Sequence, residues 1–265
     1  MDIWCDSPIT PTATGTGTDV TTIVTWVVPS GVAELVAVRG HVTSEAPAPA
    51  EGVCGVFAMG GQDWKYSPYE WLSEIGGSHL GAIDGCAYAV EPRWWEAHIP
   101  LKAGSTIGVT YEPLDALAAN GEFLIDVVYA SEPTGLQPVQ RLCSRETASS
   151  TTTGASITIS DAAVLVDFSY AFVPGGVLVA DEEVTSRITV TSGSINRRLS
   201  LGNIVHGIEA TSGQSWTTLM KREINIQVVT RPCIFNSSIV VTSASTNADA
   251  YAYGIGYIPI PTPRG

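Results

Sequence analysis

One phrase occurs twice in this chain. "TIVTWVVPSGVAELVAV" runs from Thr22 to Val38, and "VDFSYAFVPGGVLVADE" runs from Val166 to Glu182. Each is an apolar run of strand type, then Val-Pro, a small residue, Gly and a second apolar run. Proline cannot donate to a sheet ladder and glycine permits a turn, so each phrase reads as strand, turn, strand. Pro29 and Pro174 stand 145 positions apart in a chain of 265. That length fits one large all-β domain or two of roughly 100 to 130 residues, and the doubling favours two.

Two further echoes keep the same order. Gly61-Gln62-x-Trp64 matches Gly213-Gln214-x-Trp216, and each half ends in a strand, a polar turn and a last strand closing on Tyr129 or Tyr257. The spacing differs. Pro to Trp takes 35 residues and then 42, while Trp to Tyr takes 65 and then 41. The first half has gained residues through "GGSHLGAIDGCAYAVEPRWW".

Strand-like runs lie at 22–28, 32–38, 53–58, 97–101, 105–111 and 122–129 in the first half. In the second they lie at 157–173 (divided), 177–180, 184–191, 223–229, 237–243 and 250–258. One helix is well signalled. "YSPYEWLSEIGG" offers Ser67 as N-cap, Pro68 at the first position, Glu70 completing a capping box and Gly76-Gly77 as the stop. A shorter helix is expected from Ser215. The polar stretch 131–156 reads as a linker. The expected organisation is therefore an N-terminal arm over 1–21, a β-sandwich over 22–130, the linker over 131–156, a second β-sandwich over 157–258 and a Pro-rich tail over 259–265.

Hydrophobic residues make up 45% of the chain, enough for a sizeable core, while charged residues make up only 15%. The net charge is −13, and Lys65, Lys102 and Lys221 are the only lysines. Phosphate contacts need clustered cations, so direct nucleic-acid binding is not expected. Cys5, Cys54, Cys86, Cys143 and Cys233 are scattered, without metal-ligand spacing, and read as buried free thiols. "MDIWCDSPIT" lacks the features of a signal peptide, and no apolar run is long enough to span a bilayer, so a soluble protein made in a cytoplasm is expected.

No catalytic or cofactor constellation emerges. His41, His79, His98 and His206 form no metal or catalytic pattern, and His98 alternates with Ala97 and Ile99 as a sheet position would. Asp181–Glu183 reads as a solvated loop or strand end rather than a cation site. Catalytic residues, cofactor and metal are each expected to be none. The tryptophans carry more. Trp26, Trp64, Trp71 and Trp216 read as core. Adjacent Trp94 and Trp95 would point to opposite faces of a strand, so one of them, along with Trp4 near the N-terminus, is a candidate subunit contact.

The doubled "VPSG"/"VPGG", the doubled "GQDW"/"GQSW" and the doubled terminal hairpin give the chain, from about Thr21 to Ile258, a resemblance to the double jelly-roll major capsid proteins of tailless icosahedral viruses. The resemblance implies an all-β fold of two tandem jelly-roll sandwiches with short helices in loops. It implies a homotrimer of six similar lobes that tiles a shell, located in the virion after synthesis in the host cytoplasm. Its partners would be further copies of itself, other capsid proteins such as a vertex protein, and an internal membrane where one is present. Three other readings stay open: a single jelly-roll coat protein, a phage decoration or tail protein on another lattice, and a carbohydrate-binding β-sandwich. An enzyme ranks behind them.

Overall fold

The computed structural model describes residues 1–9, 12–13, 22–44, 55–65, 69–75, 79–80, 87–88, 94–113, 121–148, 153–159, 162–173, 182–192, 195–206, 233–234, 237–245 and 249–260. These residues form β-strands and no helix. The first half contains β1 (Ile3–Asp6), β2 (Thr12–Ala13), β3 (Thr22–Val27), β4 (Glu34–Ser44), β5 (Gly55–Gly61) and β6 (Tyr69–Ile75). It continues with β7 (His79–Leu80), β8 (Ala87–Tyr88), β9 (Trp95–Pro100), β10 (Thr106–Pro113) and β11 (Gly121–Ala130). The second contains β12 (Gln140–Ala148), β13 (Thr153–Ile159), β14 (Ala163–Val173), β15 (Glu182–Ser192), β16 (Ile195–His206), β17 (Cys233–Ile234), β18 (Ser237–Ser245) and β19 (Asp249–Pro259).

Strand pairing makes the halves equivalent. In the second half, one sheet runs β12-β19-β14-β17 and the other β13-β18-β15-β16. Numbered within the half, these are 1-8-3-6 and 2-7-4-5, the eight-stranded jelly-roll order. In the first half, β1-β11-β4-β9 and β3-β10-β5-β6 give the same two orders, with β2 a short addition to β11 and β7–β8 a small inserted hairpin; unlike the second half, a short parallel pairing of His41–Val42 on β4 with Glu74–Ile75 on β6 joins the two into one continuous sheet. Among the described residues, no strand of one half pairs with a strand of the other.

Even an irregularity is repeated. Tyr129 pairs with Leu35 and Val128 with Ala37, leaving Val36 as the extra residue of a β-bulge. Tyr257 pairs with Leu165 and Gly256 with Asp167, leaving Val166 extra. A bulge kinks one strand at a fixed place, and its recurrence at the same Leu-Val step sets the true offset of the repeat at 130 positions.

That offset corrects the landmarks read from the sequence. Pro29 and Gly31 form the turn between β3 and β4, the second and third strands of their unit. Gly31 has φ +84°, which explains the glycine. Pro174 instead follows β14, the third strand of its unit. Gly61–Trp64 lies between the fourth and fifth strands, whereas Gly213–Trp216 lies outside the described residues. The Val-Pro-x-Gly phrase is displaced by one strand. The last strands closing on Tyr129 and Tyr257 do correspond, but neither forms a hairpin with the strand before it: β10 pairs with β3 and β5, and β18 with β13 and β15. Gly61 has a local role: a Cβ there would meet the folded-back Trp64 ring at 2.5 Å.

Four further expectations change. The capped helix is strand β6. Tyr69 and Trp71 pair with Met59 and Phe57 and are buried on one side, which a period of two allows and a helical period does not. Aromatic burial outweighs the capping signal, since helix propensity is a weak preference. The short helix from Ser215 lies outside the described residues. The stretch 131–156 is not all linker, because β12 and the start of β13 occupy it. The N-terminal 1–21 is not all arm, because β1 pairs with β11. Cys5 is exposed and Cys143 half-buried, neither in a disulfide and neither fully buried as expected.

The first sandwich packs an aromatic core between its sheets. Phe123 on β11 meets Tyr111 on β10 at 5.2 Å and Phe57 on β5 at 6.0 Å. Phe57 stacks on Trp71 at 5.3 Å. Such pairs add about 0.5–1.5 kcal/mol each beyond the area they bury. Trp26 donates its Nε1–H to Tyr129 Oη at 2.9 Å inside the core. In the second half, Ile157, Ile159, Ala163, Leu165, Ile255 and Tyr257 are buried.

Candidate functional site

The chemically richest region is the joint between the sandwiches. β12 has two faces. Gln140 and Leu142 pair with Tyr257 and Ile255, both buried in the second sandwich. Arg141 and Cys143 pair with Gly256 and Gly254 and face the other way. There they meet the first sandwich. The Arg141 guanidinium lies 4.7 Å over the Trp95 ring, and its Nε–H donates to the Glu96 carbonyl at 3.4 Å. Cys143 packs against the first core, and its N–H donates to Glu70 Oε2 at 2.8 Å. Gly254 and Gly256 are buried on this face, where the missing side chains leave room for close approach.

Residues 131–139 connect the sandwiches and are tied down along their length. Ser131 N–H donates to the Asp2 carbonyl at 3.0 Å, and Val139 N–H donates to the Ala97 carbonyl at 3.0 Å. Between these ties, Thr134 reaches a buried pocket on the first sandwich. Its N–H donates to Glu34 Oε2 and its hydroxyl to Glu34 Oε1, each at 2.6 Å. His98 Nδ1 sits 2.9 Å from the same Oε1. Glu34 is 3% exposed and His98 7%. An ionised carboxylate only accepts, so Nδ1 carries the ring proton here. His98 reaches Glu34 because β9 bulges against β4 and sets it at φ 51°, a conformation histidine tolerates better than most residues. Burial pushes the Glu34 carboxyl up, but the bonds from Thr134 and His98 outweigh it and hold its pKa below the ordinary value.

A threonine, a histidine and a glutamate in contact invite comparison with a hydrolytic triad. In a triad the nucleophile and the carboxylate meet opposite nitrogens of the imidazole. Here Thr134 Oγ1, at 3.4 Å, and Glu34 both meet Nδ1, and the hydroxyl proton is committed to the carboxylate. The arrangement holds a chain segment; it does not activate an oxygen. Among the described residues, no group of His, Cys, Asp and Glu is placed to hold a metal ion.

The tryptophan candidates divide. Trp95 is 2% exposed, inside the first core and under Arg141. Trp94 is half-buried on the opposite face, beneath Arg39 at 4.5 Å. Arg39 in turn bonds Asp126 Oδ2 at 2.8 Å. Trp4 is half-buried on β1 and tilts against Tyr129 at 6.0 Å. The burial of Tyr129 pushes its phenol up to about 12; accepting from Trp26 opposes the rise and the Asp6 charge adds to it. Sequence reading missed Glu34, Thr134 and Arg141. An acid before "LVAV" and a threonine in a polar stretch look like surface residues until the ladder brings them together.

No protein-family model matches the chain, and no curated protein matches it in sequence. Solved structures do. The crystal structure of the major capsid protein of STIV, the Sulfolobus turreted icosahedral virus, matches with a TM-score of 0.50 at 10% identity. The match covers 98% of this chain and 97% of that one. The major capsid protein P2 of bacteriophage PM2 matches with a TM-score of 0.46 at 8% identity, covering 100% of both chains. The atomic structure of the Sulfolobus virus matches with a TM-score of 0.45 at 12% identity, covering 98% and 91%. At such identities the likeness to the first is one of fold, and it runs through both jelly-rolls.

Proposed function

We propose that this chain is a structural capsid protein that builds an icosahedral viral shell. The observation that carries the reading is the pair of jelly-rolls with one strand order and one shared bulge, held in a single chain by a close-packed joint. The units we assign are 3–130 and 140–259, with 131–139 as connector. Three such chains around a three-fold axis would present six similar lobes, and a ring of six lobes tiles a curved lattice as a hexamer does. Further copies would join edge to edge, and a vertex protein would close the five-fold positions. The reading places the chain in the virion after synthesis in the host cytoplasm. Trp94 and Trp4 are the tryptophans whose half-exposed faces suit subunit contacts; Trp95 is spent within the chain.

The role is structural and not enzymatic. The buried Glu34–His98–Thr134 group is committed to holding the connector. The carbohydrate-binding reading finds little support, because each tryptophan among the described residues is buried or packed against the core or an arginine. Light scattering of the purified chain with negative-stain imaging of the same peak tests the proposal. A mass of three chains with a six-lobed outline is expected. A monomer, or a trimer with three lobes, would overturn it.

A further inference from the structure

We infer that Glu34, His98 and Thr134 form an acid-released latch that fixes the connector, and with it the second jelly-roll, against the first. The pocket is complementary to an ionised carboxylate. Thr134 N–H can only donate to it, and the Thr134 hydroxyl and His98 Nδ1 both donate to it when the carboxylate is ionised. A protonated Glu34 keeps its partners only if the Thr134 hydroxyl or the His98 ring turns from donor to acceptor, and the Thr134 N–H cannot turn, so the connector's grip is strongest on the charged form. The backbone ties on either side do not depend on that charge. Val139 N–H to the Ala97 carbonyl and Ser131 N–H to the Asp2 carbonyl are neutral backbone bonds.

Among the described ionisable groups on the elements around Glu34, His98 is the one in contact with it. On β9, His98 faces it, while Glu96 is exposed on the far side of a bulge. Ala130 lies opposite on β11, next to Tyr129, whose hydroxyl accepts from Trp26. On the connector, Glu132 pairs with the N-terminal ammonium at 3.7 Å. On β4 itself, Arg39 is bound to Asp126. Because Glu34 in the latch ionises below its ordinary value, the latched state gains its advantage above the ordinary carboxylate range. It loses that advantage as pH falls through it.

Hydrogen exchange of the full-length chain, read by peptide and corrected for intrinsic rates, tests the latch. Protection of 131–139 should hold steady from pH 7 to about 5.5, then fall by up to about tenfold per pH unit, the limit for one proton. The β11 amides should stay protected over the same range. In Glu34→Gln the connector should already exchange faster at pH 7, and its pH dependence should vanish. Thr134→Val provides a second reading if that variant folds poorly: it keeps one donor and should move connector opening to higher pH. Unchanged connector protection in the variants, or wild-type opening together with β11, would overturn the latch. The measurement uses the dissolved chain, so it stands or falls apart from the capsid reading.

Discussion

The two jelly-rolls share a frame and differ on the two strands that flank its last one. Leu35 and Leu165 sit at the same bulge step, opposite Tyr129 and Tyr257. One residue earlier, the first unit has Glu34 and the second has Val164. Across the last strand, Tyr129 faces Trp4, whereas Tyr257 faces Gln140. In the first unit the chain leaves β11 into a connector that must be placed on the way to the second sandwich. The polar pocket stands in the unit whose exit has a second domain to position. A duplicated frame thus keeps its pairing and its kink, and the difference between copies concentrates where they are joined.

Giving the first unit the second unit's residue should break this difference most strongly. Glu34→Val leaves three donors facing an apolar group, and buried unsatisfied donors cost about 1–3 kcal/mol each before relaxation. We expect a loss of about 2–4 kcal/mol at pH 7, measured by denaturant unfolding. The sign of the pH dependence sharpens the test. Glu34 ionises below its ordinary value in the fold, so its contribution is present above that value and lost as pH falls below it. The gap between wild type and variant should therefore be widest near neutrality and narrow toward pH 3. A gap that stays constant with pH would separate the defect from the carboxylate.

Much of the frame was legible and the joint was not. Strands such as Thr22–Val27, Gly121–Ala130 and Asp249–Pro259 announce themselves by apolar alternation. The doubling was real, yet its Val-Pro-x-Gly landmark was displaced by one strand, because proline and glycine mark turns without saying which turn. The bulge is a better marker, but "LV" is unremarkable until the ladder shows the extra residue. β6 was hidden by a capping box that tertiary packing overrode. β12 was hidden because its start faces protein on both sides: Leu142 pairs with the buried Ile255 of one sandwich while Arg141 covers Trp95 of the other, so no apolar-polar alternation survives in "QRLC". Glu34 and Thr134 are 100 residues apart, and nothing local pairs them.

A smaller effect is expected at the tyrosine both units keep. Of nine tyrosines, Tyr129 is raised to about 12 by burial. Its neutral phenol is favoured by the fold, so that contribution is complete below about pH 10 and is lost as pH rises toward 12. An alkaline absorbance titration should show a late-titrating component that includes Tyr129, and Tyr129→Phe should shrink it by one tyrosine. The variant also strands the Trp26 N–H, at a cost of about 1–2 kcal/mol at neutral pH. If the late component keeps its size in Tyr129→Phe, the burial of this hydroxyl is not what delays it.

The smallest expected effect asks whether the first strands of the two units are interchangeable. Trp4 and Gln140 occupy equivalent places opposite the conserved tyrosine pair, but only Trp4 adds a ring contact. Trp4→Gln removes that contact and part of the cover over Tyr129 while leaving the β1 backbone free to pair with β11. Because Trp4 is half-buried, the loss should be about 1 kcal/mol, well below the cost of a core tryptophan. Denaturant unfolding of the dissolved chain measures that term. Sedimentation of the same variant measures assembly, and the two readings separate a cover for the core from a contact between subunits. A variant that unfolds slightly earlier and assembles normally makes Trp4 the edge of the first core. A variant of unchanged stability that fails to assemble makes it a subunit contact, and the two first strands then differ in partner as well as in packing.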